Sequence, residues 1–190
     1  MSFQSRDYTD CNVLIYDVRG KLLVQTIVRE HDKKSMYIKV DKKPDINVHE
    51  HMKLLIMSSP VPSEFFGRFI RIGREREIAL FQGKEREMRQ ASRYQVELPA
   101  QIEGHIEAGA MNPITPPLEV KLINISTNGL RFSSSTMEFR DGQLIQMRLK
   151  IGDNDQKMSI QVVHRKRVND AKLIEFGCRI VNVEQLNVNQ

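Results

Sequence analysis

Residues 94–102, YQVELPAQI, decide the fold class of this chain. Apolar and polar residues alternate in this stretch, and the apolar set is Tyr94, Val96, Leu98, Ala100 and Ile102. Successive side chains of a β-strand point to opposite faces of a sheet, so this period of two predicts a strand with one buried face. Short runs rich in β-branched and aromatic residues follow at similar intervals: LEVKLINIS, GLRFSSS, QLIQMRLKI, KMSIQVVHRKRV and KLIEFGCRIV.

The sequence before this strand has the same character. Turn signals such as VRGK, HDKK and KKPD separate the runs NVLIYD, KLLVQTIV, SMYIKV, HMKLLIMS, EFFGRFIRI and EIALFQ. No long stretch keeps apolar residues at the spacing of a helix. We therefore predict an all-β chain with two small β-barrel domains, because a closed sheet leaves no exposed edge strands.

The segment QGKEREMRQ, residues 82–90, has one apolar residue, Met88, and is not expected to be buried as a strand. We predict an N-terminal β-barrel domain at 1–83, a basic linker at 84–93 and a second barrel domain at 94–190. Residues 104–117, GHIEAGAMNPITPP, contain three prolines and two glycines. They are expected to form a long loop between the first two strands of the second domain.

The composition is that of a globular protein, with 190 residues of which 40% are hydrophobic and 28% charged. The N-terminal residues lack the apolar segment of a secretion signal, and no run approaches the roughly 18 apolar residues of a membrane-spanning helix. We therefore expect a cytoplasmic protein without a membrane span. Cys11 and Cys178 form no CxxC motif, so we expect two buried thiols and neither a disulfide framework nor a zinc site.

Positive charge is concentrated in the middle of the chain. The formal net charge is +5, and residues 67–93 alone contain eight basic residues against four acidic ones. This local excess favours an anionic partner, although it does not reach the charge density of a non-specific nucleic-acid binder.

Arg89 and Arg93 stand four residues apart just before the strand at 94–102. Four residues span roughly 13 Å in a strand and about 6 Å in a helical coil, so a coiled segment would let both guanidinium groups meet on one ligand. Converging arginines suit phosphate oxygens and the O6 and N7 acceptors of guanine. The same spacing also fits a solvated linker with Arg–Glu pairs.

A second polar pattern lies in LINISTNGLRF, where Asn124, Ser126 and Gly129 follow the order N-x-S-x-x-G between two predicted strands. Asn and Ser side chains are short enough to bond the backbone or a ligand, and Gly permits a positive φ or a close approach. The alternative is an ordinary hairpin turn with Asn128 and Gly129 at its corner.

Together, RxxxR at the entrance to a β domain and [D/N]xSxxG some thirty residues later resemble the PilZ domain, a bacterial receptor for cyclic di-GMP. The resemblance runs from about residue 86 to residue 183 and includes the closing strand FGCRIVNV. It implies a six-stranded barrel in which Arg89 and Arg93 contact the guanine bases and phosphates of the ligand. The opposing wall on the barrel surface would be formed by Asn124, Ser126 and Gly129.

Two further arginines, Arg86 and Arg131, lie close to these motifs in the sequence and are expected to add positive charge to the implied site. A β-rich N-terminal domain joined to a PilZ domain through RxxxR resembles the flagellar-brake type of cyclic di-GMP effector, which has a split-barrel partner domain. The number of ligands bound, the oligomeric state and the identity of the partner carry no sequence motif.

The resemblance suggests a mechanism. We hypothesise that the arginine segment is mobile without ligand and wraps around the bound nucleotide, which fixes how the two barrels face each other. Cyclic di-GMP then selects one domain arrangement, and the selected surface meets a partner such as the flagellar motor.

The alternative binding function is a basic β-barrel that holds single-stranded RNA or DNA. Such modules set aromatic platforms among their positive charges. Here aromatic residues make up 6% of the chain, Trp is absent, and no aromatic residue lies between Phe81 and Arg93. We therefore expect no nucleic-acid partner.

An enzyme function has less support still. His49 and His51 form an HxH pair without a further metal ligand at a recognisable spacing, and Ser126 lies in no GxSxG motif. His164 and the basic residues 165–167 that follow it are expected to form a solvated strand end. We expect no enzymatic activity and no bound metal.

Overall fold

A computed structural model of the chain describes residues 6–31, 35–39, 49–72, 78–85, 92–136, 138–168 and 173–185. Every regular element in these ranges is a β-strand, which confirms the all-β prediction. They contain no helix that is long and apolar enough to cross a membrane. The chain divides into two compact units, one from Met1–Ser58 and Ser63–Gln90, the other from Ser59–Pro62 and Ala91–Gln190.

The first unit is a closed six-stranded barrel with the strand order β1-β2-β3-β6-β5-β4. Its strands are β1 (Asn12–Asp17), β2 (Leu22–His31), β3 (Ser35–Lys39), β4 (His51–Ile56), β5 (Ser63–Ile72) and β6 (Ile78–Glu85). Adjacent strands are antiparallel, and β1 pairs with both β2 and β4. The barrel interior is apolar, and the rings of Phe69 and Phe81 meet edge to face within it.

Strand β6 is longer than the sequence predicts. Lys84 pairs with Phe66 and Glu85 pairs with Phe65, so the first two residues of the predicted linker belong to the strand. Hydropathy does not reveal this extension, because the two residues are held through the backbone ladder, which any side chain permits. The remaining linker residues up to 91 lie outside the described residues.

The second unit is a closed six-stranded barrel, as predicted, and its strand order is β10-β11-β12-β9-β8-β7. Its strands are β7 (Tyr94–Glu107), β8 (Ala110–Ile125), β9 (Gly129–Ser134), β10 (Leu144–Ile151), β11 (Asn154–Arg167) and β12 (Ile174–Gln185). The alternation at 94–102 is borne out, because its apolar residues are buried and its polar residues exposed. Phe132, Phe139 and Phe176 form an aromatic cluster in the core, with centroids 5.0 to 6.1 Å apart.

The predicted long loop at 104–117 is wrong. Strands β7 and β8 continue to a two-residue turn at Ala108 and Gly109, both with positive φ (51° and 80°), which is the geometry of a tight hairpin. An irregularity accommodates Pro116 and Pro117, because Ile102 pairs with Leu118 and Gly104 already pairs with Pro113. Residues 114–117 are therefore left outside the ladder, where a missing N–H donor costs no strand hydrogen bond.

Candidate functional site

Five residues form one line across the outer face of the second barrel, and we call this line the outer row. Gln95 pairs with Asn124, Asn124 with Arg131, Arg131 with Gly177, and Gly177 with His164. The row therefore crosses β7, β8, β9, β12 and β11 in that order. On β8, β9 and β12 the strand neighbours of these residues point into the core, since Ile125, Leu130 and Cys178 are all buried.

The outer row borders an open cavity of about 330 Å³ on the barrel surface. The residues that line it are Arg93, Asn124, Ser126, Asn128, Gly129, Leu130, Arg131, Val163, His164, Gly177, Cys178 and Arg179. Five of the seven predicted site residues are thus brought together around one surface. The other two, Arg86 and Arg89, lie outside the described residues, and their roles stay a prediction.

The hydroxyl of Ser126 organises the turn between β8 and β9. It accepts hydrogen bonds from the backbone N–H groups of Gly129 (3.2 Å) and Asn128 (3.4 Å) and donates to the carbonyl oxygen of Gly129 (3.1 Å). A hydroxyl has one donor and two acceptor positions, so these three bonds use its full capacity. Ser126 therefore shapes the cavity wall instead of offering an uncommitted group to a ligand.

Gly129 is required by a close approach of two strands. A Cβ atom there would collide with the carbonyl oxygen of Cys178 on β12. Gly129 and Asn128 are absent from the described residues with positive φ, so the two do not form the Asn-Gly corner that the sequence left as an alternative. The glycine serves the β9–β12 contact and not the turn geometry.

The cationic groups around the cavity differ in whether they are paired with other side chains. Arg131 pairs with Glu175 across the β9–β12 ladder (3.5 Å), and Arg179 donates to the side-chain oxygen of Gln161 (2.7 Å). The side chain of Arg93 makes no hydrogen bond or ion pair to any other described residue, and neither does that of Asn124. An exposed guanidinium and an amide, neither of them bonded to another described residue, therefore line the same cavity.

Sequence reasoning missed His164 and Arg179 as members of this surface. Val162 pairs with Cys178 and His164 with Gly177, so a bulge at Val163 turns His164 onto the outer face. Such a bulge has no compositional signature. Gly177 inside an apolar strand is the one available signal, because a strand glycine often marks a close approach of other atoms.

His51, Arg165 and Arg167 do not line this cavity. His51 stacks on Phe66 with ring centroids 5.3 Å apart. Arg165 and Arg167 are exposed and both approach Glu138, at 3.7 and 2.9 Å. Across the described ranges, no three His, Cys, Asp or Glu side chains are grouped to hold a metal ion.

The prediction of two buried thiols is confirmed, since Cys11 and Cys178 are both buried and free. Cys178 lies on β12 between the outward-facing Gly177 and Arg179, with its side chain directed into the barrel. Burial raises the pKa of its thiol to about 12. The thiol therefore stays protonated at neutral pH and is a poor nucleophile.

The comparisons with known proteins return one matching family model. The family model of the PilZ domain matches residues 87–190. No curated protein sequence matches the chain.

Several solved structures are similar to the chain. The inhibitor of motility MotI/DgrA of Bacillus subtilis has 11% identity and a TM-score of 0.41, with 94% of this chain and 90% of that chain covered. YcgR of Escherichia coli, in complex with c-di-GMP, has 12% identity and a TM-score of 0.35, with 95% and 77% covered. MrkH of K. pneumonia, in complex with c-di-GMP, has 12% identity and a TM-score of 0.37, with 90% and 78% covered.

The first prediction concerns the strand contact at Gly129. Gly129→Ala should lower the local free energy of unfolding of β9 and β12 by about 1 to 3 kcal/mol, because the new methyl group meets a backbone atom that cannot turn away. Hydrogen exchange of the β9 and β12 amides measures this loss. Gly177→Ala is the matched control, since the three atoms nearest to its Cβ belong to the His164 ring, which can move, and the substitution should cost less. An equal or smaller loss for Gly129→Ala would contradict the assignment.

The second prediction concerns the thiol of Cys178. Its raised pKa leaves far less thiolate at pH 8 than an ordinary thiol has, so iodoacetamide should modify it about a thousandfold more slowly. Mass spectrometry of the peptide that contains Cys178 measures the rate, with the urea-unfolded chain as the reference. Equal rates in the folded and unfolded chains would show that the thiol does not face the barrel interior.

Proposed function

The chain belongs to the PilZ domain family, whose model matches more than half of its residues, and we propose that it is a cyclic di-GMP-binding effector. One observation carries this proposal. The cavity on the second barrel gathers Arg93, Asn124 and Gly129 beside the turn that the Ser126 hydroxyl organises. These are residues of both motifs on which the resemblance rests.

The chemistry of the cavity suits a guanine dinucleotide with two phosphates. The guanidinium of Arg93, which pairs with no other described residue, can donate two parallel hydrogen bonds to a phosphate or to O6 and N7 of guanine. Adenine presents an N6 donor beside N7, so the same arginine disfavours it. The free amide of Asn124 adds a donor and an acceptor to the same surface. Arg86 and Arg89, by family resemblance, supply further cationic contacts.

We propose further that the bound nucleotide changes how the two barrels are arranged. Arg93 directly precedes β7, and Arg89 stands in the segment that joins the barrels, so a ligand that contacts both arginines links this segment to the second barrel. Binding then favours one arrangement over the others. The favoured surface would meet a partner of the motility apparatus, in line with the flagellar-brake resemblance.

The proposed effector acts in the cytoplasm and binds the nucleotide without turning it over. Single-stranded nucleic acid is the less favoured ligand, because the described cavity residues include no Phe, Tyr or Trp on which bases could stack. The binding experiment therefore includes an unstructured RNA as a ligand control.

The third prediction concerns the two motif arginines. Arg89→Ala and Arg93→Ala should each weaken cyclic di-GMP binding by about 1.5 to 3 kcal/mol, roughly tenfold to a hundredfold in Kd, because each removes charge-assisted hydrogen bonds. Isothermal titration calorimetry on the full chain measures the affinity. Arg140→Ala is the matched control, since Arg140 is exposed on the same barrel and does not line this cavity.

GTP, cyclic di-AMP and an unstructured RNA are the ligand controls in that experiment. Cyclic di-AMP should bind more weakly by about 1 to 3 kcal/mol for each guanine edge that is read. Wild-type protein that ignores micromolar cyclic di-GMP would overturn the proposal. RNA binding that cyclic di-GMP does not compete would support the nucleic-acid alternative instead.

The fourth prediction concerns the domain arrangement. Saturating cyclic di-GMP should change the small-angle X-ray scattering curve of the wild-type chain, because the ligand is expected to select one arrangement of the barrels. The Arg93→Ala variant at the same nucleotide concentration is the control and should show little change. Identical curves for the free and saturated wild-type chain, with binding verified by calorimetry, would contradict the proposed switch while leaving the binding function intact.

A further inference from the structure

We propose that His164 is an additional ligand-contacting residue, which extends the nucleotide site from β8 and β9 to the far side of β12. This inference rests on the proposed function and adds a residue that neither sequence motif contains. Four features of the structure support it. His164 belongs to the outer row, its ring lies over Gly177, it has no polar partner among the described residues, and cations and an apolar side chain line the same cavity.

The position of His164 follows from strand pairing. Neighbouring strands lie about 4.8 Å apart, so the three steps from Asn124 through Arg131 and Gly177 to His164 cover roughly 15 Å. A dinucleotide with two purine bases is an extended ligand that can contact both ends of such a surface. The cavity that contains Arg93 and Asn124 is also lined by His164.

Gly177 moves the imidazole closer to the predicted motif residues. The three atoms nearest to a Cβ placed on Gly177 all belong to the His164 ring, so the imidazole occupies the space that a side chain at position 177 would fill. The ring therefore leans from β11 over β12, toward Arg131. Without this glycine the imidazole would have to turn away from the outer row.

The imidazole is available for a ligand. His164 is exposed, and neither of its ring nitrogens bonds to another residue in the part of the chain that the structure describes. In this respect it resembles Arg93 and Asn124 and differs from Arg131 and Arg179, which are paired. A neutral imidazole carries one N–H donor and one acceptor.

The surroundings of His164 favour a nucleotide. The cations Arg179 on β12 and Arg131 on β9 line the same cavity, and so does Val163, whose apolar side chain is 58% exposed. An apolar contact together with cations and a hydrogen-bond donor suits a nucleotide, which combines a planar base with phosphate oxygens. We assign to His164 a hydrogen bond to an acceptor of this ligand, either O6 or N7 of guanine or a phosphate oxygen.

The test is a double-variant cycle on the full chain, with Kd for cyclic di-GMP measured by calorimetry. His164→Ala should raise Kd about threefold to tenfold, the effect of one lost hydrogen bond. Gly177→Ala should raise it by a similar factor, because its methyl group displaces the ring. In the His164→Ala background the added Gly177→Ala should have no further effect. His51→Ala, at an exposed histidine of the first barrel, is the control and should leave Kd unchanged.

Two conservative variants separate hydrogen bonding from packing. His164→Gln keeps a donor and should stay within about threefold of the wild type, whereas His164→Phe keeps a planar ring and should lose as much as His164→Ala. Cyclic di-AMP identifies the acceptor: an equal loss for both nucleotides indicates a phosphate, and a loss confined to cyclic di-GMP indicates the guanine edge.

The inference is overturned if His164→Ala stays within twofold of the wild type, or if the two substitutions raise Kd independently by multiplying factors. The same set distinguishes this failure from that of the proposed function. When the wild type binds and Arg93→Ala does not, an unaffected His164→Ala removes only the contact at His164. When the wild type does not bind cyclic di-GMP, the proposed function itself fails.

Discussion

Strands β9 and β12 approach so closely at Gly129 that no side chain fits between its Cα atom and the carbonyl oxygen of Cys178. This contact holds one side of a continuous ladder in which β8 pairs with β9, β9 with β12, and β12 with β11. The ladder carries Asn124, Arg131 and His164 onto one outer line, although they come from separate parts of the sequence. The candidate site is therefore a product of backbone register.

The polar groups along this surface divide their work. The hydroxyl of Ser126 makes all its hydrogen bonds within the turn, and Arg131 is already paired with a carboxylate. A paired guanidinium gains less from a new anion than a free one, because part of its charge is already offset. Binding free energy should therefore concentrate on the few uncommitted groups, as it does on the hot spots of protein interfaces. In the described part of the cavity these include Arg93 and Asn124.

The sequence predicts the framework of the second barrel better than its details. The alternation of apolar and polar residues at 94–102 is sufficient to predict which side chains are buried, because successive side chains of a strand point to opposite faces. The interpretation of 104–117 as a loop fails although its proline content is typical of a loop. The β7–β8 ladder continues on both sides of the irregularity that contains Pro116 and Pro117. The bulge that turns His164 outward is a property of pairing between strands and leaves no local pattern. The motifs predict Arg93 as a member of the cavity, because Arg93 directly precedes the first strand of the barrel in the sequence.

The outer row draws its residues from five strands, which the unfolded chain keeps far apart. A nucleotide held across such a row can bind only after the sheet has closed, so its binding is thermodynamically linked to folding of the barrel. The ligand then stabilises contacts between residues that are far apart in the sequence, and such contacts cost the most conformational entropy to form. A higher nucleotide concentration would thereby raise the free energy of local opening of the barrel and so protect it from proteolysis.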